Sequence, residues 1–255
     1  MNLNLKIRLL QLLAHVGSLI GIWYVFTTAE YYWLLFSFII WIIIGPISQV
    51  ITLHRFLAHK SFRLKNWLKN ILCLLSVLST VGPTISWVSI HRMHHAKTDT
   101  DADPHSPNIN GKKSFIRALQ VLIGYKWKVS KIETWLVKDL LKEQIHVFIF
   151  KNYFKIILFY ITLLAIINPI LIIFMYFLPV TGTVLLVGTV NVLGHMHGYR
   201  TYTTRDCSTN SWIANILSMG DGWHNNHHAN PQNYKTGEKW WEWDLMAIII
   251  DKIKV

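Results

Sequence analysis

The sequence predicts an all-α integral membrane protein: four transmembrane helices in two hairpins, with interfacial helices and a cytoplasmic cap. Three observations lead there. Apolar residues make up 52% of the 255 positions and charged residues only 15%, where a soluble domain carries about a quarter. Four stretches are candidates for the roughly 20 apolar residues that a hydrocarbon core demands, the third of them short. The 25 Lys and Arg stay out of the two short connections inside the hairpins, which the positive-inside rule assigns to the non-cytoplasmic side. With only 13 Asp and Glu the chain is basic. A basic chain raises nucleic acid as a partner, but here the cations are interleaved with long apolar runs. That pattern points to a membrane surface and to no nucleic acid.

Taken in order, MNLNLKIRLL runs into an apolar stretch without a small-residue cleavage site, so it reads as an anchor and not as a removed signal. The first span covers roughly 9–27. The turn TAEY joins it to a second over roughly 32–53. A third candidate, 71–90, is long enough to cross but is interrupted by Gly82-Pro83. If it crossed, the basic segment after it would lie outside. It therefore reads as a buried or interfacial helix that dips in and returns. The second hairpin holds spans over roughly 153–168 and 170–194, separated at Asn168-Pro169. No linker divides the chain: residues 1–255 form one unit, with the cytoplasmic cap drawn from 54–152 and 196–255. Cys73 and Cys207 are the two cysteines, one in an apolar run and one in a polar loop, so no disulfide framework is expected.

Nine histidines fall at four places on the expected cytoplasmic side. HRFLAH carries His54 and His59 at the end of the second span. HRMHH carries His91, His94 and His95. NVLGH places His195 at the end of the fourth span, with Asn191 one turn before it. GDGWHNNHHANP carries His224, His227 and His228. In each H-x-x-H-H group the rings at i, i+3 and i+4 share one side of a helix. His54 and His59, five apart, do not share a face on a regular α-helix, so they either serve two metals or flank a helix end. Neutral imidazole is the commonest side chain on transition metals. Nine rings exceed the ligand set of one ion, so two ions sharing them is the economical reading. With few carboxylates nearby, calcium and magnesium fit poorly; iron, zinc, copper and manganese remain open on ligand type. His15 reads as a packed core residue, His146 as a solvated helix residue, and His197 as outside the ligand set.

HRFLAH, HRMHH and HNNHH resemble, in order and spacing, the three histidine boxes of the membrane fatty-acyl desaturase family. Four residues separate the histidines of the first box, as in the stearoyl/delta-9 type. NVLGHMHGYR is similar to the family's fourth motif, and DTDADPHSP to the acidic stretch after the second box. The likeness covers roughly residues 45–245. GDGWHNNHHANP, RDCSTN and KWWEWD are most similar to the cyanobacterial acyl-lipid delta-9 desaturases. Between Trp87 and His91, where the acyl-CoA enzymes carry an Arg and an Asp, this chain has Ser89 and Ile90, which argues against a CoA head group.

The resemblance implies an oxidoreductase with two iron ions and O2 as co-substrate. It would place a cis double bond in a saturated acyl chain, at delta-9 and on a lipid. It implies His54, His59, His91, His94, His95, His195, His224, His227 and His228 as metal ligands, with Asn191 acting through a water. Asp103, His105 and Asp221 are expected behind the ligands, and Trp87 along the acyl tunnel. The chain ends soon after the third box, so electrons are expected from a separate donor such as ferredoxin or a b-type cytochrome. Lys and Arg at 60–69 and 112–128 could attract an acidic donor or anionic head groups; positive-inside topology is the favoured reading of them. Two rivals stand beside this reading. One is a related membrane di-iron hydroxylase or ketolase acting on lipids or carotenoids. The other is a metal transporter, which would want its ligands near the midplane of the spans, not at helix ends.

Overall fold

The computed structural model describes residues 2–109, 112–125 and 131–255. It is helical apart from one short ribbon, and four of its helices are long and apolar enough to cross a membrane. The first, α1 (Leu3–Thr28), starts at Asn2, whose side chain accepts the Leu5 N–H at 2.9 Å. It ends at Ala29, which turns the chain through the left-handed region. Glu30 then takes hydrogen bonds from Tyr24 and Trp33, closing the turn. α2 runs over Tyr32–Ala58. α3 (Asn66–Val77) and α4 (Thr84–Lys97) are the two pieces into which the 71–90 stretch is broken. After the ribbon β1 (Asn108–Ile109) and β2 (Lys112–Lys113) come α5 (Phe115–Leu122), the short α6 (Lys138–Leu141) and the third span α7 (Gln144–Ile167). The fourth span, α8 (Ile170–Met196), is followed by α9 (Trp212–Ser218), α10 (His224–Ala229) and α11 (Leu245–Ile253).

The observed spans extend beyond the hydropathy reading. α1 begins at Leu3 and α7 at Gln144; Lys6 and Arg8 in α1 and Lys151 in α7 depress hydropathy ahead of the predicted spans without breaking a helix. α8 packs against both α1 and α2. Small residues let it come close: a Cβ on Gly17 or Gly21 of α1 would collide with Phe177 or Ile173 of α8. In lipid this kind of van der Waals fit, not hydrophobic exclusion, holds helices together.

From Ile43 to Ala58 α2 is wound as a π-helix with Pro46 inside it. Proline offers no N–H to the ladder, and its ring crowds the preceding turn; a wider winding relieves both. The Ser48 hydroxyl reaches the Ile43 carbonyl, Thr52 reaches Ile47, and the His59 N–H reaches His54, each spanning five residues. This corrects the α-helical geometry assumed for the first box. His54 and His59 stand one π turn apart and join the same donor group; the helix ends at Ala58 with His59 as its cap, so of the two expected alternatives the helix end holds and not the pair of metals.

The chain between α3 and α4 is non-helical and buried at the level of the spans, where unpaired backbone groups are costly. Each span contributes a polar side chain there. Gln11 of α1 donates to the Thr80 carbonyl at 2.9 Å, and Gln49 of α2 to the Ser79 hydroxyl at 3.1 Å. The Tyr153 hydroxyl of α7 accepts the Gly82 N–H at 3.0 Å, and Tyr176 of α8 shares a hydrogen bond with the Thr80 hydroxyl at 2.7 Å. This junction fixes the start of α4, which carries the second histidine box. α3, α5 and α9 lie beside the spans and expose Trp67, Ile71, Phe115, Ile116, Trp212 and Ile216, the belt expected of helices resting on lipid.

Candidate metal centre

The nine histidines of the four motifs converge into two groups. His54, His59, His91, His95 and His227 form one; His94, His195, His224 and His228 form the other. Within each group the donor nitrogens all lie within 4.8 Å of one another. The boxes are shared crosswise. The outer pair of the second box, His91 and His95, points into the five-histidine group, while His94 points into the other. The third box does the reverse: His224 and His228 join the four-histidine group and His227 crosses over. One turn of α-helix separates i and i+4, so each outer pair can meet one centre while the i+3 ring swings to its neighbour.

The spacings suit metal ions. Nε2 atoms lie 3.0 Å apart for His54 and His227, 2.8 Å for His59 and His91, and 3.1 Å for His95 and His227. In the second group His195 and His228 each place Nε2 3.1 Å from that of His224. Two nitrogens held about 2.1 Å from one ion at right angles lie about 3 Å apart. The rings also face the right way. His54, His94, His195 and His228 each turn Nδ1 to a carboxylate, of Asp221, Asp103, Asp99 and Asp206 respectively, at 2.7, 2.9, 3.2 and 3.0 Å. A carboxylate accepts, so Nδ1 carries the hydrogen and Nε2 keeps its lone pair facing the group. His94 makes the case most sharply. It is fully buried, both Asp103 oxygens hold its Nδ1, and its Nε2 has no hydrogen-bond partner among the described residues. A buried lone pair of that kind fits a metal.

Electrostatics keep most of the set neutral, as ligation requires. Burial, and then the neighbouring imidazoles, push His59, His91, His95, His224 and His227 well below the usual histidine range. For His228 burial outweighs Asp206 and leaves it at about 4. His94 is the exception: burial disfavours its charged form, but the Asp103 carboxylate reverses that and raises it.

The asparagines of HNNHH position the helix. Asn225 accepts the N–H groups of Thr201 and Tyr202 at 2.8 and 2.7 Å. Asn226 donates to the Thr236 carbonyl and to Glu242 at 3.0 and 2.8 Å. Asn210 accepts the first N–H groups of α10, from Asn225 and Asn226. Arg55, buried inside the first box, bridges Asp221 at 3.0 Å and Asp244 at 2.9 Å, tying α2 to the chain before α11. Arg92, inside the second box, donates to the Leu57 and Ala58 carbonyls and to Asp139, clamping α4 against the end of α2.

The remaining sequence-derived candidates fall as follows. Asp103 and Asp221 sit behind His94 and His54. Asp103 also accepts the backbone N–H groups of Asp99, His105 and Ser106, so it closes its own loop as well. His105 is buried with its ring 5.7 Å from that of His94 but belongs to neither group. Trp87 stacks parallel on His91 at 5.0 Å. Asn191 donates to the Val187 carbonyl at 2.7 Å and lines a cavity of about 30 Å3. That cavity is also walled by Gln49, His54, Trp87, His91 and His224. His197 is exposed and outside both groups. His15 is half-buried and meets the Thr181 hydroxyl at 3.1 Å. His146 is not solvated as expected: it is fully buried beside the Thr84 hydroxyl, because α7 packs against α4. Among the basic residues at 60–69 and 112–128, Lys60 and Lys69 pair with Asp139 and Glu143, and Arg117 binds the Asp103 and Ser106 carbonyls. Positions 126–128 lie outside the described residues.

Asp99 opens DTDADPHSP and Asp206 lies in RDCSTN, two stretches already marked in the sequence, but the sequence assigns neither residue to a histidine; their place in those motifs is the available signal.

Comparison with known proteins supplies an independent line. A model of the fatty acid desaturase family matches residues 31–243. The chain is 30% identical over 253 residues to the sn-1 stearoyl-lipid 9-desaturase of Anabaena variabilis, covering 98% of this chain and 92% of that one. It is 34% identical over 221 residues to the Delta-9 acyl-lipid desaturase 2 of Arabidopsis thaliana, covering 81% and 67%. To the sn-1 stearoyl-lipid 9-desaturase of Synechocystis sp. it is 31% identical over 215 residues, covering 84% and 66%.

Proposed function

This chain belongs to the fatty acid desaturase family, and from that premise we propose that it inserts a cis double bond at the delta-9 position of a saturated, lipid-linked acyl chain. It is a membrane-bound oxidoreductase of the fatty acid desaturase type. The names of its relatives support the lipid-linked substrate and the delta-9 position. The absence of an Arg-Asp pair before the second box, where Ser89 and Ile90 stand, agrees with a substrate other than acyl-CoA.

The observation that carries the reading is the crosswise sharing of His94 and His227 between two adjoining imidazole groups. That arrangement suits two metal ions held side by side, and we assign them as iron. Bound there, the pair would supply the oxidising power that removes one hydrogen from each of two adjacent methylenes. O2 takes up those two hydrogens, two electrons and two protons and leaves as two waters. Asp221, Asp103, Asp99 and Asp206 orient their histidines. Asn191, one turn before His195, would act on one ion through a water. We read the cavity of about 30 Å3 beside Trp87, walled in part by Leu186, Val187 and Val190 of α8, as the place where one methylene of the acyl chain meets the groups. A site this dry suits chemistry on an inert C–H bond. The two electrons would come from a donor such as ferredoxin or a b-type cytochrome. Both termini and the histidine groups face the cytoplasm, following the placement of Lys and Arg.

The decisive experiment is expression in a host that makes no unsaturated acyl chains, followed by mass-spectrometric location of the double bond. The expected product is a cis-9 monounsaturated acyl lipid. An alcohol without an alkene would instead mark a hydroxylase.

A further inference from the structure

The two histidine groups differ in what stands behind their rings. In the four-histidine group three rings hold a carboxylate on Nδ1: His94 with Asp103, His195 with Asp99 and His228 with Asp206. In the five-histidine group only His54 does, with Asp221; none of its other rings pairs with a carboxylate among the described residues. The partners of those carboxylates widen the difference. Asp221 also takes two N–H groups of the Arg55 guanidinium, at 3.2 and 3.0 Å, and Arg55 is shared with Asp244. Two carboxylates there answer to one guanidinium. Asp99, Asp103 and Asp206 pair with no Lys or Arg among the described residues. Asp99 accepts from the Asn108 amide and the Cys207 N–H at 3.0 and 2.6 Å, and Asp206 from the Thr204 hydroxyl and the Ser208 N–H at 2.6 and 2.9 Å. Asp103 is held by backbone N–H groups. Arg117 and Arg200 bind backbone carbonyls in these loops, not the carboxylates. Neutral donors fix a carboxylate without cancelling its charge. Asp99 is 6% and Asp103 2% exposed, so water and salt screen that charge little.

A dication is drawn to each uncompensated carboxylate by Coulomb attraction. The carboxylate also raises the basicity of the nitrogen that ligates. A fifth imidazole is neutral; it adds a bond but no charge. Such carboxylate partners are worth about 10- to 100-fold each in affinity, so two more of them outweigh one more ring. We propose that the two metal positions are unequal: the four-histidine group, backed by Asp99, Asp103 and Asp206, takes the first divalent ion, and the five-histidine group is the weaker, exchangeable position. The inequality rests on the reading of both groups as metal sites.

The test is anaerobic equilibrium dialysis of the metal-depleted, full-length protein in detergent micelles against ferrous iron alone. It compares the wild type, Asp206→Asn and Asp221→Asn. The wild type should bind two ions, the first about tenfold or more tightly than the second. Neighbouring dications also repel each other, so the gap alone does not assign the positions; the variants do. Asp206→Asn should weaken the first affinity about 10- to 100-fold. Asp221→Asn should leave the first affinity unchanged and weaken only the second. If the groups were equal, either variant would send the first ion to its intact group and lower only the second affinity. That result overturns the inequality, as does a first affinity that falls in Asp221→Asn alone. Where a variant fails to fold, iron-edge anomalous diffraction from wild-type crystals given one equivalent of iron decides. Iron at His94 and His228 supports the inequality; iron at His54 and His59, or shared evenly, overturns it. A wild type that binds no iron overturns the metal reading of the groups, and the inequality with it.

Discussion

Asp221 accepts the Nδ1–H of His54 at 2.7 Å across 167 positions of sequence, and that contact decides which ring nitrogen faces the five-histidine group. Replacing Asp221 with Asn removes the obligate acceptor. The ring is then free to carry its hydrogen on Nε2, where it can no longer ligate. Arg55 retains Asp244, so the buried cation is not left alone. We expect Asp221→Asn to weaken metal binding by the five-histidine group about 10- to 100-fold, the range for partners of metal-bound histidine. Equilibrium dialysis against ferrous iron checks it; unchanged affinity and stoichiometry would remove Asp221 from this role.

Asp103 carries a pH signature. Burial alone would raise its carboxyl, but the His94 ring and the N–H groups of His105 and Asp99 outweigh burial and hold it at about 2, against 3.8 for a free side chain. A depressed carboxyl stabilises the fold above its unfolded value, and that contribution is lost as pH falls through the folded value. The window therefore lies between about pH 4 and about pH 2 and is worth roughly 2 kcal/mol. His94 is raised and contributes with the opposite sign: its share is present below 6.5 and fades as pH rises through its folded value. Circular-dichroism melts of the metal-free protein should drop across the acid window. The Asp103→Asn protein should start lower at neutral pH and vary less on acidification. Parallel curves would contradict the assignment.

Much of this architecture was legible because it repeats. Hydropathy marked the four spans, and the H-x-x-H-H spacing marked rings that share a helix side. What stayed hidden depends on contacts between distant segments. Spacing cannot tell that His94 and His227 cross to the opposite group, since that follows from how α4 and α10 approach each other. The π winding that aligns His54 with His59 had a single hint, Pro46 within an apolar run. Asp99 and Asp206 stand in the noted DTDADPHSP and RDCSTN stretches, but only the fold brings them to His195 and His228. His146 looked solvated because its neighbours in sequence include Glu143 and Gln144; its burial comes from α4.

His15 provides a control. It lies inside α1, outside both donor groups, with its ring 3.1 Å from the Thr181 hydroxyl of α8. Replacing it with Gln should leave the metal content unchanged and cost about 1 kcal/mol of stability at most, the worth of one ordinary hydrogen bond. Metal analysis and a thermal melt on the same sample are sufficient. Loss of metal from His15→Gln would mean that the ligand set is wider than the nine histidines.

Gly194 should separate the two groups. It precedes His195 in α8, and a Cβ there would lie 2.7 Å from Cδ2 and 2.9 Å from Cγ of the His224 ring. That ring is buried, with its Nε2 3.1 Å from those of both His195 and His228. Among the described residues, the only cavity beside it is the one of about 30 Å3 that it helps to wall. Gly194→Ala must therefore displace α10 or turn the ring, and either opens the four-histidine group. The five-histidine group is touched only through His227, three residues further along α10. In helical context the change from Gly to Ala by itself favours α8 by roughly 0.5–1 kcal/mol, so a loss cannot be blamed on helix propensity. The expected result is weaker metal binding at the four-histidine group, retained binding at the other, and loss of unsaturated product. Iron titration followed by metal analysis reads the first two. Full occupancy of both groups in Gly194→Ala would show that α10 has more freedom than its asparagine anchors suggest.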